Sequence, residues 1–211
     1  MHQLCRIVLL SSLAVGRFAQ ADVVFSNAVN SSSSVAVLVN NSRGQTFTNT
    51  GPTAAIQSVT VYLKNSSGAT GNIGIGIRTI TGTPGVDAVY VATAQGLVAS
   101  SATISAATIS NTVTAVTFST FSGSNTTLTT GTSYAFVLNV ANLSGSLDMY
   151  YGSPISGQNS IATANNSADT SNDLAGQVVT VPEPGTLTLG GMAAAFGGLF
   201  YRRKKKLAGT T

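Results

Sequence analysis

The stretch Ile56-Gln57-Ser58-Val59-Thr60-Val61-Tyr62-Leu63-Lys64 decides the fold of this chain. Val59, Val61 and Leu63 alternate with Ser58, Thr60, Tyr62 and Lys64. Successive side chains of an extended strand point to opposite faces, so this order makes one apolar and one polar face. Valine, threonine and tyrosine suit such a pleated, half-buried surface. The same period recurs along the chain. Ile73, Ile75 and Ile77 share a face, with Gly74, Gly76 and Arg78 opposite them. Glycine there leaves room for the close approach of another backbone or for a bulge. Tyr134, Phe136, Leu138 and Val140 form the best alternating run, and Leu147, Met149 and Tyr151 share a face on the next.

Shorter strands are expected at 23–25, 35–39, 45–48, 88–92, 98–104, 113–118 and 177–181, separated by turn-formers. Asn49-Thr50-Gly51-Pro52 reads as a turn. Thr83-Pro84-Gly85-Val86 suits a type II turn, with proline setting φ and glycine taking a positive φ. Residues 156–172 read as a polar, low-complexity loop of Gly, Ser, Asn and Thr. No stretch of the body keeps a helical period. The expected fold is all-β: a single antiparallel β-sandwich of jelly-roll-like type over residues 22–180, with its core at about 35–151.

The two ends read differently from this body. Arg6, the apolar run 7–15 and Ala19-Gln20-Ala21 ahead of Asp22 have the layout of a secretory signal peptide, residues 1–21, cut between Ala21 and Asp22. At the other end, residues 181–206 hold Val181-Pro182-Glu183-Pro184, an uncharged apolar run at 185–201, and the cluster Arg202, Arg203, Lys204, Lys205 and Lys206. As a helix of about 17 residues the run reaches about 25 Å, the short end of a bilayer span. The basic cluster stops transfer and marks the cytoplasmic side. Proline fixes its own φ and pushes the preceding residue towards extended geometry, so the Pro-Glu-Pro box should be an extended peptide beside the membrane.

Charge separates the ends from the body. The formal charge of +4 arises at the ends, because between Asp22 and Val181 the only basic residues are Arg43, Lys64 and Arg78. Asp22, Asp87, Asp148, Asp169 and Asp173 outnumber them. Nucleic acid is therefore not an expected partner, since no basic patch exists to neutralise phosphates. His2 and Cys5 both fall in the signal peptide, and Glu183 is the only glutamate. The mature body thus lacks disulfides, thiolate or imidazole metal ligands, and the His or Cys on which much catalysis depends. No enzyme activity, cofactor or metal is expected.

Val181-Pro182-Glu183-Pro184, the short membrane segment and the Arg/Lys cluster, in this order, resemble the PEP-CTERM sorting signal of bacteria. The resemblance implies recognition and cutting near Pro-Glu-Pro by an exosortase, a transpeptidase-like membrane protease. It also implies a membrane-anchored precursor delivered to the cell surface or extracellular matrix, in association with exopolysaccharide and biofilm. A second resemblance lies in the body. Gln45-Thr46-Phe47, Gly51, Ile56 and Ser58-Val59-Thr60-Val61, then Thr83-Pro84-Gly85, then Leu128, Gly131, Tyr134 and Phe136-Val137-Leu138 look like a choice-of-anchor β-sandwich domain, most similar to the type labelled R. Relatives often place tryptophan near the Tyr134 strand, and this chain has none. These are core and turn positions, so the likeness implies fold and leaves activity open.

Three constellations in the body bear on chemistry. Asp169-Thr170-Ser171-Asn172-Asp173 places oxygens at alternate positions, as a calcium loop does, but lacks the glycine and distal glutamate of an EF-hand; a solvated polar loop is the simpler reading. Asp87 and Asp148 are the carboxylates that would have to meet for glycoside hydrolysis. Tyr62 and Tyr90, with one of Tyr150 and Tyr151, are the aromatic residues on which a sugar-binding face would rest. Tyr150 and Tyr151 cannot form one platform, because neighbours on a strand face opposite ways. Two readings of the body stay open: a non-enzymatic surface or matrix protein, and a carbohydrate-binding module acting on exopolysaccharide.

Overall fold

The computed structural model describes residues 20–39, 41–123, 125–162 and 167–181. Most of the expected signal peptide, the Pro-Glu-Pro box, the membrane segment 185–201 and the basic cluster 202–206 lie outside the described residues. Among the described residues no helix is long and apolar enough to cross a membrane. Ala21–Val181 forms one compact unit.

Among the described residues that unit is all-β, broken only by single 3-10 turns at Ala94–Gly96 and Ala106–Thr108. Its strands are β1 (Asp22–Asn27), β2 (Ser34–Leu38), β3 (Arg43–Thr48), β4 (Ala54–Lys64), β5 (Asn72–Thr81), β6 (Val89–Tyr90), β7 (Leu97–Ser101) and β8 (Ile104–Ser105). They continue with β9 (Thr114–Ser119), β10 (Phe121–Ser122), β11 (Thr127–Leu128), β12 (Ser133–Asn139), β13 (Ser146–Tyr150), β14 (Ser160–Ala162), β15 (Ser167–Asp169) and β16 (Gly176–Val181).

Two antiparallel sheets enclose one core. The first runs β1-β16-β4-β13-β2, with β9 and β11 also paired to β4. The second runs β10-β7-β5-β12-β3-β14-β15, with β6 and β8 paired to β5. The stretch Ile56 to Lys64 lies in β4, the spine of the first sheet. Val59, Val61 and Leu63 are fully buried, and on the polar face the Thr60 and Thr117 hydroxyls meet at 2.8 Å. Ile73, Ile75 and Ile77 of β5 and Tyr134, Phe136 and Leu138 of β12 face them from the second sheet. Aromatic contacts tie the layers together: the ring of Phe25, on β1, lies 5.6 Å from that of Phe136 at a near-perpendicular tilt.

The Thr83–Val86 turn forms as expected. Gly85 has φ of +79°, and the Val86 amide donates to the Thr83 carbonyl at 3.0 Å. Three expectations are corrected. The strand expected at 98–104 divides into β7 and β8, and that expected at 88–92 shortens to Val89–Tyr90. The strand expected to close the body, 177–181, forms as β16 and lies inside the first sheet, between β1 and β4. The supposed polar loop 156–172 carries β14 and β15, and β14 pairs with β3.

The last correction has a clear cause in buried polar side chains. Asn159 is fully buried and bonds to Thr46 in both directions: its amide donates to Thr46 Oγ1 at 2.8 Å, and the Thr46 amide donates to its carbonyl at 3.0 Å. Its Nδ2 donates to the Ala88 carbonyl at 2.9 Å, and its Oδ1 accepts from the Gly85 amide at 3.0 Å. Gln45, also fully buried, donates through Nε2 to Asp173 Oδ1 at 2.6 Å and accepts from the Leu174 amide at 2.7 Å. Polar groups this deep require partners, and here they fasten Asn159, Asp173 and Leu174 to β3.

Candidate functional site

The structure distributes the expected site residues widely. Ala21 is exposed and Asp22 opens β1; Ala19 lies outside the described residues. Val181 ends β16, paired with Ala55, so the Pro-Glu-Pro box begins at the residue after the strand. Pro182, Glu183, Pro184 and residues 202–206 are outside the described residues.

Tyr62 and Tyr90 do not share a face. Tyr62 is half-buried on the outer side of the first sheet, where it pairs with Ala115. Tyr90 belongs to β6, opposite Ile80 in the second sheet. Tyr150 is buried and Tyr151 half-buried, so neither supplies an open aromatic platform.

The carboxylates serve local structure. Asp87 Oδ1 accepts from the Thr83 amide at 2.7 Å, closing the turn that contains Gly85. Asp148, on the first sheet opposite Lys64, accepts from the Ser66 hydroxyl. Asp87 thus lies in the turn between β5 and β6, and Asp148 on β13 of the first sheet. In the supposed calcium loop, Asp169 Oδ1 accepts from the Ser171 amide at 2.9 Å, while Asp173 turns inward and is 2% exposed. Asp173 accepts from Gln45 and from the Ile155 amide, which leaves it to the core rather than to a cation. Among the described residues no group of three or more His, Cys, Asp or Glu could hold a metal. Asn65, in an Asn-x-Ser triplet, has its amide committed to Ala69 and Ala106.

A concavity lies on the outer side of the second sheet. It has about 360 Å³ of room, and Gly74 and Gly76 of β5 form its floor. Leu97 and Ser100 of β7 wall one side, and Val137 and Asn139 of β12 the other. Arg78 closes one end. Its guanidinium lies 5.4 Å from the centre of the Tyr90 ring, a cation–π distance. Its Nη1 donates to the carbonyls of Val91, at 3.0 Å, and Thr93, at 3.2 Å. Among the described residues Arg78 has no ion pair, and Nε and Nη2 have no protein acceptor. The β5–β7 pairing shifts register between Ile77 and Arg78, and such a bulge re-aims the side chain beside it.

The floor glycines are not forced by the backbone. A Cβ on Gly44 would lie 2.7 Å from the Phe136 carbonyl oxygen, and one on Gly176 2.6 Å from that of Thr60. At Gly76 the nearest atom would be Leu97 Cδ1 at 3.4 Å, and at Gly74 Ser101 Oγ and Thr103 Cγ2, also at 3.4 Å. Neither glycine has a positive φ. Sequence reading named Tyr90 for this region and missed Arg78, whose signal was the alternation of small residues ahead of a lone cation.

Comparison with known proteins bears on the other end of the chain. Residues 180–205 match the family model described as the PEP-CTERM protein-sorting motif. The tail carries that motif. Such a signal implies exosortase-dependent export and sorting to the cell surface. The match covers the tail and none of the body beyond Thr180 and Val181. No curated protein matches the chain.

Proposed function

We propose that this is a non-enzymatic protein of the bacterial cell surface or extracellular matrix, anchored as a precursor by its tail, cut by an exosortase and associated with exopolysaccharide. The single observation that carries the reading is the PEP-CTERM motif at 180–205, which begins on the last residues of β16. A sandwich that ends in an extended strand hands the following peptide on in extended form, and Pro182 and Pro184 favour continuing it that way. Support for a non-enzymatic body comes from its lack of Cys, His and Glu and from the structural use of Asp87, Asp148 and Asp173. The two-sheet body also supports similarity to a jelly-roll-like choice-of-anchor R domain.

The test replaces Pro182-Glu183-Pro184 by three alanines in a host that carries the processing enzyme. Alanines allow the membrane helix to continue upward through the cleavage region. Membrane fractionation with intact-mass analysis should then find a full-length, membrane-bound precursor accumulating in the variant. The same mature mass and partition for both proteins would make the box an incidental linker.

A further inference from the structure

We propose that the groove over Gly74 and Gly76 is a binding site for a carboxylate-bearing saccharide, and that Arg78 holds the carboxylate. This extends the matrix reading of the body, yet it stands on the body alone and survives a failure of the sorting assignment.

The argument begins with the guanidinium. Nη1 is spent on the Val91 and Thr93 carbonyls, and Tyr90 supports the planar group. The edge left over is the one formed by Nε–H and Nη2–H, two parallel donors whose spacing matches the two oxygens of a carboxylate. Nε lies 3.9 Å from where a Cβ on Gly76 would stand, so this edge borders the glycine floor. Arg78 is one of three cations in the body and is without an ion pair among the described residues. It is thus an anchored, pre-oriented fork awaiting an anion.

The floor supports the same conclusion. Glycine inside a strand is destabilising relative to alanine, and neither φ nor a close backbone requires it at 74 or 76. What the two glycines provide is open volume beside the fork.

The rest of the lining selects the kind of molecule that carries the carboxylate. A peptide that adds to a sheet is held by main-chain hydrogen bonds at a free edge, and an acidic motif docks on a cluster of arginines, whereas Arg78 is the one cation lining this groove. Here β5 is already paired on both sides, with β7 and β12, so its backbone has no edge to offer. The groups that remain are side chains. Ser100 and Thr103 make no side-chain hydrogen bond among the described residues, and Asn139 spends only Oδ1, on the Ala141 amide. Hydroxyls and an amide around an apolar wall of Leu97 and Val137 complement a ring with hydroxyls at its rim and C–H groups on its face.

The experiment uses the full-length chain in a non-glycosidic detergent and calorimetric titration with three probes: oligogalacturonate, a neutral maltooligosaccharide and a short polyglutamate. Saturable binding of oligogalacturonate alone is expected. Arg78→Lys keeps the charge and loses the fork, and should weaken that binding by about tenfold or more. Gly76→Ala should weaken it as well without lowering the thermal midpoint, because its Cβ meets the Leu97 side chain at 3.4 Å and Arg78 Nε at 3.9 Å and no backbone atom. No binding of oligogalacturonate would overturn the proposal. So would equal binding of polyglutamate, or oligogalacturonate binding that neither substitution alters.

Discussion

Asp22 and Thr180 are paired residues on the neighbouring antiparallel strands β1 and β16. The residue after the expected signal cleavage and the residue two before Pro182 therefore share one end of the first sheet. β16 also pairs with β4 over Val61 to Ala55, so it has a partner on each side, and its Val178 is fully buried. The sorting cut consequently has a limit on its N-terminal side. We expect the processed chain to end at or beyond Val181, and intact mass of the mature protein checks this. A chain truncated after Ala175 should fail to fold, because it opens the sheet between β1 and β4.

Phe136 joins the two layers. It is fully buried, edge-on to Phe25 at 5.6 Å and 6.4 Å from the Phe47 ring. Phe136→Ala should cost about 3–5 kcal/mol, the usual range for emptying a large aromatic site. Denaturant unfolding of the purified chain measures it. Tyr62→Ala, on the half-exposed outer face, should cost far less.

Asp173 fastens the segment that follows β13. Asp173→Ala removes the acceptor of the Ile155 amide and of Gln45 Nε2. Each buried donor left without a partner costs about 1–3 kcal/mol, and Gln45 Nε2 keeps a second acceptor in the Thr46 carbonyl. The expected outcome is a moderate loss of stability together with faster proteolytic nicking within residues 155–172. Limited proteolysis with mass mapping reads both the rate and the place.

The strands of the core were legible because alternation writes burial directly into the order of residues, as in Val59-Thr60-Val61 and Tyr134-Ala135-Phe136. The tail was legible because three unlike parts stand in fixed order. What escaped was the role of polar residues. Asn159 sits in, and Asp173 directly after, a run of Gly, Ser, Asn and Thr that reads as solvated, yet both are buried through partners more than 100 positions away. No local pattern carries that information. The position of β16 escaped for a similar reason, since which strand lies beside which is decided by non-local pairing. Arg78 was visible as a residue, but its meaning depends on the Val91 and Thr93 carbonyls that fix one of its nitrogens.

Tyr151 supplies a prediction in pH. It is half-buried and held by its backbone, its amide donating to the Ser33 carbonyl at 3.0 Å and its carbonyl accepting from the Asn30 amide at 2.7 Å. Burial, which disfavours the phenolate, is the main influence and raises its pKa above the ordinary 10.0; Arg43 opposes this, and Asp169 adds to it. The folded state thus holds the phenolic proton more tightly than the unfolded chain does. The corresponding stability is fully present below the unfolded value of 10.0 and is lost as pH rises through the folded value. Tyr151→Phe cannot ionise there, so its stability should fall less than that of the wild type as the pH is raised above 10.0. Arg43→Gln should act in the opposite direction: without the cation the folded pKa rises further, and the alkaline loss becomes larger. Denaturant midpoints of the three proteins across the alkaline range are the measurement. Parallel curves for wild type and Tyr151→Phe would show that the phenol has no part in the alkaline transition.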